Sequence, residues 1–532
     1  MQQEFDYVIV GGGSSGCALA GRLSENPTVS VALLEAGGDG NTWLTNVPAA
    51  LIFTVPRKLN NWGFETVPQA GLNGRKGYQP RGKVLGGSSA INAMEYVRGH
   101  QSDYNHWAAL GNTGWSFVDV LPYFIKSENN HDIKDQWHGQ NGPLHVSHLR
   151  TDNPFQRYFK DAAVQAGFPL NDDFNGPEQE GLGTYQVTQF EGERCSAYRA
   201  YLHPVKDQRK NLLIETAAMT HRVLFEGKRA VGVEYRQGGV IKTIRARREV
   251  ILCAGAFQSP QLLLLSGIGD ADELQKLDIP VLHHLPGVGK NLQDHPDFIF
   301  GYCSKDTHLV GFSIKGLLRM GKEVLRYWRE RRGTLSTNYA ESGGFLKTQP
   351  ELSEPDIQLS FVIARVDDHG RKLHISHGLS CHVCLLRPKS IGYVGLYDKN
   401  PESPPLIDPN FLQHPDDVEN MLAAYKMTEK LMKAPALAQH LTEDAITAHV
   451  RTDDDIRAIL RERVDTVYHP VGTCKMGVDD MAVVDPRLRV YGVSGLRVVD
   501  ASIMPTLLGG NTNAPAIMIG EKAANMILQD FG

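Results

Sequence analysis

The chain lacks long apolar runs, an excess of basic charge and a paired set of cysteines. Its purest apolar stretches, such as residues 262–265, are far shorter than the roughly 18 residues that span a bilayer. The net charge of -5 and the absence of a long basic run argue against nucleic acid as a partner. Seven scattered cysteines do not predict a disulfide framework. Glu4 and Asp6 stand where a secretory peptide would be basic, so we expect a cytoplasmic protein.

The length of the chain predicts more than one domain. With 532 residues, it exceeds the size at which a single hydrophobic core stops growing. Two domains are the natural expectation for a protein of this size.

A glycine-rich motif near the start predicts a dinucleotide site. Residues 6–10 have the composition of a buried parallel strand, and residues 11–16 carry the pattern GxGxxG before a predicted helix. Gly11 allows the turn, Gly13 lets a pyrophosphate approach the backbone, and Gly16 lets the helix pack closely. A second predicted strand ends at Glu35, which can accept hydrogen bonds from a ribose. The motif leaves the choice between FAD and NAD open.

The segment from residue 39 to 79 has no clear periodicity and is rich in proline and aromatic residues. Long irregular segments inside compact domains are usually functional. We interpret this segment as a cover over the cofactor, with a packed surface excursion as the alternative.

A second glycine-rich run extends from residue 81 to 94. Its glycines and hydroxyls, including Gly86 and Ser88, predict a second turn that binds an anionic or long polar ligand. Together with residues 255–269, 287–295, 469–477 and 510–515, this run resembles the signatures of the glucose-methanol-choline (GMC) oxidoreductases. These are FAD-dependent, alcohol-oxidising flavoproteins, and the resemblance extends over nearly the whole chain.

The resemblance implies an α/β fold in which a Rossmann-like FAD-binding domain is interrupted by an α+β substrate domain with a six-stranded antiparallel sheet. The FAD-binding domain would comprise residues 1–154, 199–300 and 477–532. The substrate domain would comprise residues 155–198 and 301–476. Alternating stretches at 357–362 and 382–386 have the period and composition of strands of this sheet.

The resemblance also assigns the cofactor contacts. Val223 would meet the adenine through its backbone, and Glu35 the adenosine ribose. Relatives that attach FAD covalently carry a histidine where this chain has Ile91, so we expect non-covalent FAD. The predicted FAD-binding residues are Gly11, Gly13, Ser14, Gly16, Glu35, Gly86, Ser88, Asn92, Ala93, Met94, Val223, Asp500, Ala501, Asn511, Thr512 and Asn513.

Alcohol oxidation requires a base for the hydroxyl proton while hydride leaves for flavin N5, and histidine is suited to that role. His469 matches the family's catalytic histidine. Asn513 is predicted as the second catalytic residue, which hydrogen-bonds the substrate oxygen. No metal site is predicted, because the CxxC spacing at Cys381 and Cys384 lies in an apolar run without a second pair.

The motifs favour an FAD-dependent alcohol dehydrogenase that oxidises an uncharged primary alcohol, aliphatic or aryl, and passes electrons to a quinone or another non-oxygen acceptor. They most resemble bacterial aliphatic alcohol dehydrogenases of alkane oxidation. The alternatives are an oxygen-using alcohol oxidase, a choline dehydrogenase and a non-redox lyase or photoenzyme that contains FAD. For choline, Glu341 is the candidate carboxylate, although no aromatic cluster around it can be read from the sequence.

The stretch from Ile314 to Arg332 predicts a basic amphipathic helix. Such a helix can lie on an anionic membrane, where a quinone would be available, which suggests peripheral contact at the inner face. The alternative is a solvated helix packed on the substrate domain.

Overall fold

A computed structural model describes residues 3–311, 313–372 and 374–531. The helices of nine or more residues are Ser14–Leu23 (α1), Gln101–Ala109 (α2), Phe117–Ser127 (α3), Phe155–Gln165 (α4), Gly255–Leu265 (α5), Ile314–Glu330 (α6), Pro415–Met432 (α7), Asp453–Arg463 (α8) and Asn513–Phe531 (α9). The strands of the two large sheets are Gln3–Val10 (β1), Val31–Leu34 (β2), Gly181–Thr184 (β3), Leu212–Glu215 (β4), Met219–Glu226 (β5), Arg229–Gln237 (β6), Val240–Leu252 (β7), Pro296–Cys303 (β8), Ala340–Leu346 (β9), Ile357–Val362 (β10), Gly378–Leu385 (β11), Glu443–Asp444 (β12), Asp465–Thr466 (β13) and Leu496–Val498 (β14).

The first sheet is mixed and has the order β4-β2-β1-β7-β6-β5, with β14 also paired to β7. Strands β4, β2, β1, β7 and β14 pair in parallel, whereas β5, β6 and β7 form an antiparallel meander. Val10 is in register with both Leu34 and Leu252, the last residues of β2 and β7. The carboxyl ends of three parallel strands therefore meet at one edge, which is where open α/β sheets bind ligands.

The second sheet is antiparallel and has the order β12-β8-β11-β10-β9-β3, with β13 also paired to β8. It has seven strands, one more than the six that the family resemblance implies. The difference arises because two short strands, β12 and β13, both pair with β8. The predicted α/β fold with an antiparallel second sheet is confirmed.

Each predicted domain range supplies strands to one of the two large sheets, with one exception. The predicted boundary at residue 300 falls inside β8, whose eight residues all belong to the second sheet or its edge. We therefore propose to place this boundary before Pro296.

Each large sheet has its own hydrophobic core. One buried cluster surrounds β1, β2 and β7 and includes residues of α1 and α9, and a second surrounds β8, β10 and β11 and includes residues of α7. In the described part of the chain, no helix combines the length and the apolar character that crossing a membrane requires.

Candidate active site

A cavity of about 1280 Å³ lies against the carboxyl ends of β1, β2 and β7 and extends to the antiparallel sheet. Its walls include Gly11 and Glu35 at one end and His469 and His382 at the other. Part of the irregular segment predicted as a cover, from Trp43 to Trp62, also lines it. The cavity therefore joins the glycine-rich turn to the predicted catalytic histidine.

The turn after β1 has a backbone that only glycine permits. Gly11 has a φ of +104°, and a Cβ there would lie 2.4 Å from the carbonyl oxygen of Cys253. A Cβ at Gly16 would lie 2.0 Å from the carbonyl oxygen of Gly11, so this glycine allows α1 to pack against the turn. At Gly13 the nearest atom to such a Cβ is 3.9 Å away, and the backbone borders the cavity. With the amino end of α1 beside it, this turn can hold an anionic pyrophosphate.

Glu35 follows β2 and is buried beside the glycine turn. Its carboxylate accepts hydrogen bonds from the backbone N–H groups of Gly12, at 2.9 Å, and Gly37, at 2.7 Å. Burial raises its pKa to about 7, although both hydrogen bonds oppose that shift. The two bonds fix the carboxylate at the cavity wall and leave lone pairs free for ribose hydroxyls.

Most of the other predicted cofactor residues lie on the same cavity. These are Ser14, Ser88, Asn92, Ala93, Met94, Asp500, Ala501, Asn511, Thr512 and Asn513, and Ile91 lies beside them. Gly86 is absent from the cavity wall and instead donates its N–H to the Gly12 carbonyl at 2.7 Å, so it joins the two glycine-rich turns. Together, the open backbone at Gly13, the helix end and the buried acid suit the pyrophosphate and ribose of FAD.

Val223 does not occupy its predicted place at the cavity. It lies within β5, pairs with Val233 and donates its N–H to Ser266 Oγ at 2.9 Å. The part of this segment that lines the cavity is residues 218–220, which come immediately before and at the start of β5. The structure therefore brings residues 218–220 of this segment to the cavity, and the adenine contact of Val223 stays a prediction.

His469 is held by a neighbouring histidine that the sequence analysis did not assign a role. His295 Nε2 lies 2.9 Å from the carbonyl oxygen of Leu508, which can only accept, so this nitrogen carries the proton. Neutral His295 then offers Nδ1 as an acceptor, and His469 Nδ1 lies 2.9 Å from it. His469 must therefore donate from Nδ1, and its Nε2 is unprotonated and acts as an acceptor.

Burial keeps both imidazoles neutral. It lowers the pKa of His295 to about 3, and it lowers the pKa of His469 well below the usual value, with further contributions from His295 and Arg81. The backbone N–H of His469 donates to Asp294 Oδ1 at 2.8 Å, which fixes the start of this turn. His469 therefore presents an unprotonated Nε2 at neutral pH.

The residue that meets His469 is Asn511, whereas Asn513 was predicted to pair with it. Asn511 Nδ2 lies 3.3 Å from His469 Nε2, and Asn511 Oδ1 accepts from Gln358 Nε2 at 2.9 Å. Asn513 instead accepts through Oδ1 from Ser14 Oγ at 2.7 Å and begins α9. The two asparagines are two residues apart on a tight turn, so their side chains reach different partners. The structure therefore brings Asn511, and not Asn513, into contact with His469, and the catalytic role of either asparagine stays a prediction.

Glu95 is a second acidic group at this end of the cavity that the sequence analysis missed. Its Oε2 accepts from Asn511 Nδ2 at 3.0 Å, and burial raises its pKa to about 7. The signal in the sequence that could have identified Glu95 was its position immediately after the second glycine-rich run, which ends at Met94. The predicted carboxylate Glu341 lies elsewhere, where it accepts from Thr337 Oγ1 at 2.7 Å and Gln156 Nε2 at 2.9 Å.

His295→Leu is expected to slow reaction at His469 by about 10-fold or more. Leucine cannot accept the Nδ1 proton, so the imidazole can adopt the tautomer that blocks Nε2, and a wrong tautomer is costly in catalysis. The measurement is the rate of flavin reduction by alcohol in the FAD-loaded protein. His295→Asn keeps an acceptor oxygen and is the control with a smaller expected loss. A wild-type rate for His295→Leu would contradict this positioning role.

The cysteines give no sign of metal chemistry. All seven are free, and Cys381 and Cys384 are buried in β11.

The group of Asp135, His138 and Asp173 has ligand atoms within 4.8 Å of one another, but His138 already bonds Glu128 and Asp173 through its two nitrogens. Those carboxylates raise the pKa of His138 to about 9 against the effect of burial, which favours an ion-paired ring in the metal-free protein.

Comparison with known proteins finds flavoproteins and alcohol-oxidising enzymes among the relatives of this chain. Family models described as GMC oxidoreductase match residues 5–297 and 388–520. The chain is 46% identical to an alcohol dehydrogenase (acceptor) from Pseudomonas putida over 99% of this chain and 96% of that protein. It is 45% identical to human mitochondrial choline dehydrogenase over 99% of this chain and 90% of that protein. A variant of Aspergillus oryzae formate oxidase, solved to study modification of its FAD, superposes with a TM-score of 0.92 at 28% identity and covers 99% of both chains.

Proposed function

Since the chain belongs to the GMC oxidoreductase family, we propose that it is an FAD-dependent alcohol dehydrogenase that oxidises a primary alcohol to the aldehyde. The observation that carries this proposal is the unprotonated Nε2 of His469, which faces the cavity beside the N–H donor of Asn511. A neutral base and a hydrogen-bond donor at one point match the needs of an alcohol hydroxyl.

The chain's own groups handle the hydroxyl in this proposal. The alcohol hydroxyl would replace the hydrogen bond between Asn511 Nδ2 and His469 Nε2. His469 Nε2 then accepts the hydroxyl proton, and the N–H of Asn511 that this exchange releases donates to the oxygen as negative charge develops on it. His295 holds the productive tautomer, and Gln358 holds the orientation of the Asn511 carboxamide. When bound, FAD supplies the hydride acceptor at its N5.

FAD would be held without a covalent bond. Gly11, Gly13 and Ser14 would bind the pyrophosphate and Glu35 the ribose, as their places on the cavity suggest. Ile91 lies on the cavity wall where a histidine would be needed for attachment, and its alkyl side chain cannot form that bond. Acid precipitation of the holoenzyme is expected to release the flavin into the supernatant.

Glu35→Ala is expected to weaken FAD retention by at least ~10-fold. The change removes the ribose acceptor and both hydrogen bonds that the carboxylate receives from backbone N–H groups, and bonds to a charged group are each worth about 1.5–3 kcal/mol. The measurement is the flavin-to-protein ratio after desalting. Glu35→Gln retains an acceptor oxygen and should lose less, whereas exposed Glu25→Ala should lose none. Unchanged flavin content in Glu35→Ala would refute the ribose assignment.

The preferred substrate and acceptor are an uncharged primary alcohol and a quinone or another non-oxygen acceptor. The name of the Pseudomonas putida relative, alcohol dehydrogenase (acceptor), supports an alcohol as the substrate and the use of an electron acceptor. Anaerobic mixing of the holoenzyme with aliphatic and aryl alcohols should bleach the flavin absorbance. Slow recolouring when air is admitted, with fast recolouring on adding a quinone, is the expected result. Rapid recolouring in air would indicate an oxidase instead.

Choline is the second candidate, because Glu95 places a buried carboxyl group on the cavity wall next to Asn511. An ionised Glu95 would favour a cationic alcohol, and the human choline dehydrogenase relative fits that possibility. Faster bleaching by choline than by any alkanol, lost in Glu95→Gln, would favour this candidate.

A flavin that stays oxidised with every alcohol in the dark would favour a lyase or photoenzyme.

A further inference from the structure

Helix α6 exposes the apolar face that an amphipathic helix ordinarily buries. Tyr327 is the buried residue of this helix, and its hydroxyl donates to the Gly192 carbonyl at 3.2 Å. Five large apolar side chains form an exposed strip, which we call the apolar ridge. They are Ile314, 83% exposed, Leu317, 74%, Leu318, 68%, Leu325, 47%, and Trp328, 74%. The helix therefore packs on the protein through only a narrow part of its surface.

One edge of the apolar ridge is basic. Lys315, Lys322 and Arg329 are spaced seven residues apart, so they lie along one line of the helix beside the ridge. All three are exposed, and they form no ion pair with any residue that the structure describes. From 314 to 332 the chain carries seven basic residues and two glutamates, although its net charge is -5. Positive charge is thus concentrated next to exposed apolar side chains.

The other edge of the apolar ridge borders the cavity. Leu317, Met320 and Val324 line it from α6. Trp43 and Phe53 of the irregular segment line the same cavity, and their side chains are 62% and 39% exposed. Their rings pack edge to face, with the ring centroids 6.1 Å apart. The mouth of the cavity is therefore bordered by exposed apolar residues from two parts of the chain.

We propose that the apolar ridge of α6 docks this enzyme onto an anionic lipid surface, with the mouth of the cavity turned toward the bilayer. A helix with an apolar strip, an aromatic residue and a basic edge lies in the plane of a membrane interface. The orientation would let an apolar alcohol or a quinone enter from the lipid; that consequence rests on the proposed function, whereas docking itself does not.

The positive charge beside the apolar ridge favours a lipid surface over a second copy of this chain as the partner that covers the ridge. A second copy that met the apolar ridge would bring no acidic partner for the unpaired lysines and arginine, because no residue of the ridge is acidic, and an antiparallel pair would place the two basic lines side by side. An anionic headgroup layer neutralises the same charges, and each basic residue near it adds to the attraction. The ridge and its basic edge therefore complement an anionic lipid surface better than they complement each other.

The first test is sedimentation of the holoenzyme with large vesicles, either phosphatidylcholine alone or phosphatidylcholine with phosphatidylglycerol. Binding to the anionic vesicles should be at least ~10-fold stronger and should weaken as salt is added. The variant Lys315→Glu/Lys322→Glu/Arg329→Glu should bind them at least ~10-fold more weakly. The matched control is Lys134→Glu/Lys210→Glu/Lys228→Glu, which reverses three exposed lysines elsewhere and should bind nearly as the wild type does. Equal binding to both vesicle types, or an unaffected α6 variant, would overturn the proposal.

A second variant tests the apolar ridge itself. Leu318 and Trp328 are exposed and do not line the cavity, so Leu318→Asp/Trp328→Asp should abolish vesicle binding and leave flavin reduction by a short water-soluble alcohol unchanged. Retained binding would place the contact elsewhere and overturn the proposal. So would a dimer in lipid-free buffer that this variant converts to monomer. Vesicle binding in a protein whose flavin no alcohol reduces would reject the proposed function and leave the docking surface standing.

Discussion

Replacing His469 with alanine is expected to slow flavin reduction by a primary alcohol at least ~100-fold, the lower range for loss of a general base. The reason is that His469 Nε2 is the unprotonated nitrogen on the cavity wall, held in that tautomer by His295. FAD should remain bound, because the groups proposed to hold its pyrophosphate and ribose lie at the other end of the cavity. The measurement is stopped-flow absorbance of the holoenzyme under anaerobic conditions.

The control for this variant is His449→Ala, an exposed histidine away from the cavity, which should reduce at the wild-type rate. The ratio of flavin to protein must be equal in the two variants, so that a slow rate is not a loss of cofactor. A near-normal rate of flavin reduction in His469→Ala would contradict the role of His469 as the proton acceptor.

Asn511→Ala is expected to cost about 100-fold or more in the rate of flavin reduction, and Asn513→Ala much less. Removing one preorganised donor to a developing oxyanion typically costs about 10²–10³ in rate. Asn511 Nδ2 is that donor here, whereas Asn513 accepts from Ser14 at the start of α9 and should affect FAD retention instead. The pair of variants is measured by the same anaerobic reduction and by flavin content after desalting.

The comparison of the two asparagines decides between the sequence-based assignment and the contacts in the structure. Each variant is the other's matched control, because both remove a carboxamide from the same turn. If Asn513→Ala abolished flavin reduction and Asn511→Ala left it unchanged, the contact between Asn511 and His469 would not contribute to catalysis.

The nucleotide-binding end could be predicted because its determinants are local. The glycine pattern, the strand before it and the acid at the end of β2 lie within the first 35 residues, and the structure places them around one turn. Backbone sterics at Gly11 and Gly16 depend on neighbours in this short stretch and on Cys253. The resemblance to a known family supplied the identity of FAD, which the pattern by itself left open.

The catalytic end could be predicted only in part, because its contacts join residues far apart in the chain. His295 and His469 are 174 positions apart, and Gln358 and Asn511 are 153 apart. The sequence shows both asparagines of the 510–515 turn but not which one Gln358 and Glu95 hold toward the histidine. His295 stood in a quoted motif, yet only its distance to His469 reveals its role.

Helix α6 shows a different limit. Its periodicity predicted a helix from residue 314 to 332, and the helix runs from Ile314 to Glu330. The same periodicity could not say whether its apolar face is covered, because that depends on which surfaces the rest of the chain brings to it. The exposed apolar ridge is thus a result of the three-dimensional packing.

The most direct test of the central claim is anaerobic mixing of the holoenzyme with a primary alkanol, unlabelled and deuterated at the carbinol carbon. The account predicts that both bleach the flavin, that the deuterated alcohol does so more slowly, and that His469→Ala nearly abolishes bleaching by either. A flavin that stays oxidised with both alcohols, or that bleaches at the same speed in wild type and His469→Ala, would contradict it.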